Sequence, residues 1–189
     1  QMLSNFEIIL AMCITTIYFI LPAYLANSGG LIFGGGTPID FGKCDKKGER
    51  LIGDGATWKG LIGGTILGTI VGIIQGLFGP YILANLSEFI FTPICTNTIE
   101  GFLAGFLMSF GALIGDAIGS FIKRRIGIKR GESAPFLDQL DFLIVALIFV
   151  SLIIKLTLPF VILAIVLTLI IHLLANSIAY LLGLKDVWY

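Results

Sequence analysis

Residues 58–79 read WKGLIGGTILGTIVGIIQGLFG, an apolar run without an acidic residue in which glycine recurs at every fourth position. A helix needs about 20 such residues to cross the hydrocarbon core of a bilayer, and this run has that length. Residues four apart share one face of a helix, so these glycines form a stripe that another helix can approach closely. The recurring glycines are Gly60, Gly64, Gly68, Gly72 and Gly76. The stretch predicts a transmembrane helix that packs against a neighbour, either within the chain or in a second copy.

The composition of the whole chain places it among membrane proteins. Of its 189 residues, 57% are hydrophobic and 13% are charged, whereas a soluble domain has roughly 25% charged residues. We predict an all-α, polytopic integral membrane protein: a single domain, 1–189, with five transmembrane helices and two polar loops. The predicted spans are 5–26, 58–79, 99–121, 138–155 and 157–182, and the predicted polar loops are 27–57 and 122–137. Four or six spans remain as alternatives, because residues 80–98 are compatible with a re-entrant or interfacial helix.

Basic residues are strongly segregated along the sequence. Ten of the twelve lysines and arginines lie within 43–59 and 123–130, and residues 80–98 contain none. Because basic residues collect in cytoplasmic loops, both polar loops are predicted to be cytoplasmic. This places the N-terminus outside the cell membrane, the C-terminus inside, and any site built by these loops at the cytoplasmic face.

Asp116 is the first candidate functional residue, because it lies within the third predicted span. A carboxylate at that depth is costly unless it faces a polar cavity or a partner. On a helix Ser120 and Lys123 each fall within about 40° of Asp116, on a face that leads into the second basic loop. The alternative is a structural ion pair of Asp116 with Lys123 or Arg124.

Two more acids, Asp138 and Asp141, open the fourth predicted span. Their spacing puts both carboxylates on one side of a helix, and an acidic first turn that favours the helix dipole is the alternative interpretation. Together with Asp116 they offer oxygen ligands to a divalent metal, while nearby bases meet phosphate oxygens. This combination is typical of phosphoryl or nucleotidyl transfer, in which electrostatic stabilisation does most of the catalysis.

The first loop contains NSGGLIFGGGTPIDFGK at 27–43, followed by GDGATWKG at 53–60. Clustered glycines let backbone N–H groups close on a phosphate, although the spacing is not that of a P-loop. A flexible glycine-rich linker is the alternative. The candidate nucleotide-binding residues in this part of the chain are Asn27, Gly35, Gly36, Lys43, Thr57 and Lys59.

The charged motifs resemble a known family. Ser120-x-x-Lys123-Arg124-x4-Lys129, followed by Asp138-x-x-Asp141, resembles the signature of the CDP-diglyceride synthetases. The order of FGGGTPIDFGK, GDGATWKG, GDAIGSFIKRRIG and LDQLDF is similar to their archaeal relatives, the CDP-archaeol synthases.

This resemblance implies Mg²⁺-dependent condensation of CTP with unsaturated archaetidic acid, which yields CDP-archaeol and pyrophosphate. It also implies which residues act. Asp116, Asp138 and Asp141 take the metal and catalytic-acid positions. Lys123 is a further catalytic candidate, and Ser120, Arg124 and Lys129 take polar and phosphate-binding positions.

The partners implied are CTP, a membrane lipid phosphate and the bilayer, with no nucleic acid and an undetermined oligomeric state. Two other functions remain open at this point. One is a cytidylyltransferase that acts on phosphatidic acid or another lipid phosphate. The other is a small transporter, which predicts polar residues near the midplane of several spans, where this sequence has few.

Overall fold

The computed structural model describes residues 4–129, 132 and 134–183. These residues form five α-helices and one short 3-10 turn, and they contain no β-sheet, so the predicted all-α class is confirmed. The helices are α1 (Asn5–Ile32), α2 (Trp58–Leu86), α3 (Thr98–Arg125), α4 (Leu137–Val150) and α5 (Leu158–Leu181). Arg130, one of the bases in the second predicted loop, lies outside the described residues.

Four helical segments in the described part of the chain are long and apolar enough to cross a membrane. They are Asn5–Ile32, Trp58–Phe89, Thr98–Arg125 and Leu158–Ile178. The remaining helix, α4, has 14 residues and is therefore about 21 Å long, which is short of a bilayer core of about 30 Å. A multi-pass membrane protein is confirmed, while the fifth crossing at 138–155 stays a prediction.

The first helix extends six residues beyond the predicted end at residue 26. Gly29 and Gly30 lie inside α1, although the sequence analysis placed them in a phosphate-binding loop, and this part of the prediction is wrong. A Cβ at Gly29 would lie 3.1 Å from the Cα of Gly64 on α2. The two glycines are thus used for close helix packing, and this contact outweighs the weak helix propensity of glycine.

The glycine stripe of α2 is an internal packing surface. A Cβ at Gly64 would lie 2.5 Å from the carbonyl oxygen of Ala26 on α1, and one at Gly72 would lie 2.4 Å from the carbonyl oxygen of Gly101 on α3. The helix α2 therefore runs against both α1 and α3 with backbones in contact. The Gln75 side chain adds to this packing by donating a hydrogen bond to the Tyr18 carbonyl at 2.5 Å.

A second set of glycines brings α4 onto α3. A Cβ at Gly115 would lie 2.3 Å from the carbonyl oxygen of Asp141. Phe142 of α4 is fully buried in the core and packs against Tyr24 of α1 with ring centroids 5.6 Å apart. This packing sets Asp141 beside the C-terminal half of α3, which carries Asp116, Ser120 and Lys123.

Candidate active site

The end of α3 and the start of α4 are joined by an ion pair between Lys123 and Asp138. The Lys123 Nζ lies 2.6 Å from Asp138 Oδ1, and Asp138 Oδ2 accepts a hydrogen bond from the Ala134 N–H at 2.8 Å. Among the described residues the partner of Lys123 is therefore Asp138, and not Asp116 as the alternative interpretation proposed. The two halves of the charged motif meet in space although 15 residues separate them.

Asp116 and Asp141 lie beside this pair. A Cβ at Gly119 would come 2.0 Å from Asp141 Oδ2, so the absence of a side chain at Gly119 makes room for the carboxylate. Asp141 Oδ1 accepts a hydrogen bond from the Phe142 N–H at 2.6 Å. Asp116, Asp138 and Lys123 are all near enough to act electrostatically on Asp141. The structure thus gathers the three predicted acids around one lysine.

The described residues contain no group of three or more His, Cys, Asp or Glu side chains arranged to hold a metal ion. The reason lies with Asp138, whose carboxylate already binds Lys123 and the Ala134 N–H. Magnesium in proteins commonly takes one or two carboxylates and completes its shell with substrate phosphates and water. Asp116 and Asp141 are two carboxylates of the kind this donor set requires. The magnesium site stays a prediction.

Three of the predicted residues line one small niche between the end of α1, the start of α2 and the second half of α3. The niche measures about 20 Å³, and Asn27, Thr57 and Asp116 all border it. Thr57 is the N-cap of α2, and its Oγ1 accepts a hydrogen bond from the Gly60 N–H at 3.1 Å. The niche brings polar groups of α1, α2 and α3 together, and its volume suits a water molecule.

A larger cavity of about 300 Å³ lies between the first loop and the residues after α3. Arg124 and Lys129, two of the predicted phosphate-binding residues, line it. Arg124 Nη1 donates a hydrogen bond to the Ile128 carbonyl, which holds the turn after α3. Arg50 and Asp54 line the opposite wall, so the cavity has bases on two sides.

The other predicted residues are more scattered. Gly35 and Gly36 have positive φ angles of 101° and 77°, and the Lys59 side chain passes within 3.4 Å of a Cβ built at Gly36. Ser120 is half-buried on α3. Lys43 is exposed and borders neither of the two cavities described above.

Asp40 is a structural centre of the first loop that the sequence analysis did not identify as such. Its side chain is 1% exposed and accepts hydrogen bonds from the N–H groups of Gly42, Ile52 and Gly53, each at 3.0 Å. Arg50 completes the set at 2.8 Å. Burial alone raises the pKa of Asp40, but these hydrogen bonds outweigh burial and hold the pKa well below its ordinary value. The sequence signal was the Asp-Phe-Gly turn at 40–42, which is typical of an Asp that bonds its own backbone.

Arg125 joins this loop to α3. Its Nη1 lies 2.5 Å from Asp45 Oδ2, and its Nη2 donates to the Arg50 carbonyl at 2.9 Å. The guanidinium also lies over the Phe121 ring, 5.2 Å from the centroid. We call this set the loop clasp: Arg125 with Asp45, the Arg50 carbonyl and Phe121. It fixes the first loop against the helix that carries Asp116 and Lys123.

Fold and site together define a multi-pass membrane protein in which acids and bases from helix ends and two polar loops line a small niche and a larger cavity. A family model described as CarS-like, CDP-archaeol synthase, matches residues 8–189. The chain therefore belongs to the CDP-archaeol synthase family.

Curated relatives named CDP-archaeol synthase match nearly the full length. The chain is 46% identical to the protein of Methanocaldococcus jannaschii, over 92% of this chain and 96% of the relative. It is 54% identical to that of Methanothermobacter thermautotrophicus, over 92% of each. It is also similar to the solved structure of an intramembrane enzyme for archaeal membrane lipid biosynthesis, with 37% identity and a TM-score of 0.67, covering 85% of this chain and 91% of that one.

Proposed function

We propose that this chain condenses CTP with unsaturated archaetidic acid to form CDP-archaeol and pyrophosphate. The relatives that carry the name of this activity match over nine-tenths of the chain. The structural observation that carries the proposal is the Lys123–Asp138 pair, with Asp116 and Asp141 beside it, where membrane helices meet the polar loops. A nucleotide from water and a phosphate on a membrane lipid can meet at such a junction.

The proposed topology has five crossings, with the N-terminus outside and both polar loops and the C-terminus in the cytoplasm. The distribution of bases supports it, because ten of the twelve lie in these loops or at their borders. In this arrangement α4 and the hairpin turn after it make a shallow crossing, and Lys155 reaches from the turn to the outer interface.

The reaction is an in-line displacement at the α-phosphorus of CTP. A phosphate oxygen of the lipid forms the new P–O bond, the bond between the α-phosphorus and the bridging oxygen breaks, and pyrophosphate leaves with that oxygen. Lys123 lies where its ammonium balances charge on the reacting phosphates, and Arg124 and Lys129 hold the departing pyrophosphate in the larger cavity. Asn27, Thr57, Lys59 and the loop glycines orient the nucleotide.

Magnesium is the proposed cofactor, with Asp116 and Asp141 as its protein ligands. When bound, it neutralises phosphate charge and aligns the phosphates for displacement. Asp138 assists from its pairing with Lys123, which keeps the ammonium at the site.

The test is pyrophosphate release by the purified protein in detergent, supplied with CTP, Mg²⁺ and either archaetidic acid or phosphatidic acid. We expect turnover that EDTA abolishes and that prefers the isoprenoid ether lipid. A preference for phosphatidic acid would change the proposed lipid, and absence of CTP binding would contradict the proposal as a whole.

The loop clasp gives a separate prediction about CTP. We expect Arg125→Asp and Asp45→Arg each to raise KM for CTP about fivefold with a smaller change in kcat, because the loop that binds the nucleotide loses its anchor on α3. The expected effect is modest because ion pairs near the surface contribute little, although both side chains here are only partly exposed.

The charge-swapped double variant is the decisive control. Arg125→Asp combined with Asp45→Arg rebuilds the ion pair in reverse, but not the hydrogen bonds that Asp45 Oδ1 accepts from the N–H groups of Lys47 and Glu49. KM for CTP should therefore recover in part, to below the sum of the two single effects. Lys46→Asp makes the same change of charge as Arg125→Asp, but outside the clasp, and should leave KM near wild type. A double variant as impaired as the sum of its parts would show that the pair does not position the loop.

A further inference from the structure

An apolar groove of about 420 Å³ runs between α4 and α5 on the outside of the helix bundle. Its α4 wall contains Ile144, Leu147 and Ile148, and its α5 wall contains Val161 and Ile165. Ile148 is 57% exposed and Ile144 is 43% exposed, so within the described residues this wall is largely uncovered. The groove therefore offers a shaped apolar surface to a molecule in the bilayer.

The turn between the two helices borders one end of the groove. Leu156 and Ser151 lie at this end. The Ser151 hydroxyl donates a hydrogen bond to the Ile148 carbonyl at 2.6 Å, which satisfies its only donor. A ligand in the groove consequently meets hydrocarbon along the walls and no unused hydroxyl donor at the turn.

The other end of the groove lies toward the start of α4, the helix that carries Asp141. Asp141 precedes Ile144 by three residues and Ile148 by seven, so the three side chains lie within about 60° on α4. Along the helix axis, Asp141 is about 4.5 Å from Ile144, and the groove continues for about 10 Å from there to Ser151. One face of α4 thus passes from carboxylate to hydrocarbon surface within a single turn.

We propose that this groove binds a hydrocarbon chain of the lipid phosphate substrate, next to its headgroup, while the phosphate lies at Asp141 and Lys123. The inference rests on the proposed function and assigns the chain-binding part of the same site. A lipid phosphate has the matching order of groups, because its anion can meet the Lys123 ammonium beside Asp141 while its chains must stay in the bilayer.

The groove acts on substrate choice more than on membrane affinity. Lipid tails in the bilayer are as apolar as its walls, so moving a chain into it gains little from the hydrophobic effect. What it supplies is close packing with a chain of fitting shape, and this packing orients the phosphate for reaction. The expected signature is therefore a dependence of kcat/KM on the chain.

Ile148→Trp tests this by filling the groove from its most exposed wall residue. We expect kcat/KM for the full-length isoprenoid lipid phosphate to fall about tenfold, because the displaced chain no longer holds the phosphate in place. For an analogue with the same headgroup and ether groups of two carbons, which does not reach Ile148, we expect kcat/KM within about twofold of wild type. Ile170→Trp is the matched control, since Ile170 is a lipid-facing residue of α5 that does not line the groove.

Val161→Trp fills the groove from the opposite wall and should reproduce the loss, which keeps the test valid if one variant folds poorly. Unchanged CTP binding would show that the nucleotide site is intact in either variant. Equal loss with both substrates, or no loss with either, would overturn the proposal. So would a change in the oligomeric state on Ile148→Trp, which would identify the groove as an interface between copies. Failure of the wild-type protein to turn over either substrate would instead contradict the proposed function.

Discussion

Asp141→Asn is expected to lower turnover between about a hundredfold and a thousandfold while leaving the fold intact. Removing one electrostatic group that acts directly on the reacting atoms has an effect of this order. Asparagine has nearly the shape of aspartate, and its amide oxygen can still accept the Phe142 N–H. The space beside Gly119 therefore remains filled, but the negative charge that would hold the metal is lost.

The measurement is steady-state pyrophosphate release at saturating CTP, with Mg²⁺ varied. If Asp141 binds magnesium, the variant should also need a higher Mg²⁺ concentration for half-maximal rate. Glu88→Gln removes one negative charge from the 3-10 turn after α2, at the opposite end of the helix from the site, and should be without effect. Near wild-type turnover in Asp141→Asn would remove this residue from the proposed site, and Asp116→Asn provides the same test for the second proposed ligand.

Gly72→Ala is expected to destabilise the protein by about 2 to 3 kcal/mol or to prevent its accumulation in the membrane. The added Cβ would lie 2.4 Å from the Gly101 carbonyl oxygen and 2.5 Å from the Gly105 Cα. Both neighbours are backbone atoms, so no side-chain rotation relieves the overlap. The helices α2 and α3 must separate, and they then lose contact along their shared length.

Gly63→Ala is the matched control on the same helix. A Cβ at Gly63 also comes 2.7 Å from the Cβ and Cγ of Phe33. Phe33 is the C-cap of α1 and is 47% exposed, so this end of the chain can shift away without separating two helices. Alanine also favours a helix over glycine by about 1 kcal/mol. We expect Gly63→Ala to unfold near the wild-type temperature and Gly72→Ala well below it, as measured by thermal unfolding in detergent. Equal unfolding temperatures would show that the stripe is not a tight interface.

The sequence was most informative where residues of one type recur at helical spacing along a single helix. The fourfold glycine period predicted the close approach of α2 to a neighbour, and the spacing of Asp138 and Asp141 placed both near the start of α4. The order of motifs indicated the family, which the comparisons confirm. The two spacings are local, and helix geometry alone places residues three or four positions apart on the same face.

Helix ends and lengths were less predictable. Gly29 and Gly30 suggested a loop, yet they lie in α1 because Gly64 and Leu113 pack against them from other helices. The predicted fourth span, 138–155, contains a helix that ends at Val150, although the apolar sequence continues beyond it. Hydropathy measures how readily a segment enters lipid, while the end of a helix depends on its neighbours.

By itself, the sequence determined the membrane class, the all-α fold, the two basic loops and the acids and bases that belong to one signature. Only the tertiary structure decided which of these charges are partners. It paired Lys123 with Asp138, gathered Asp116 and Asp141 beside that pair, and connected the first loop to α3 through Arg125 and Asp45. The physical reason is that ion pairs and hydrogen bonds act over a few ångströms in space. Residues 15 or 80 positions apart therefore become neighbours only when helix packing has fixed their distance.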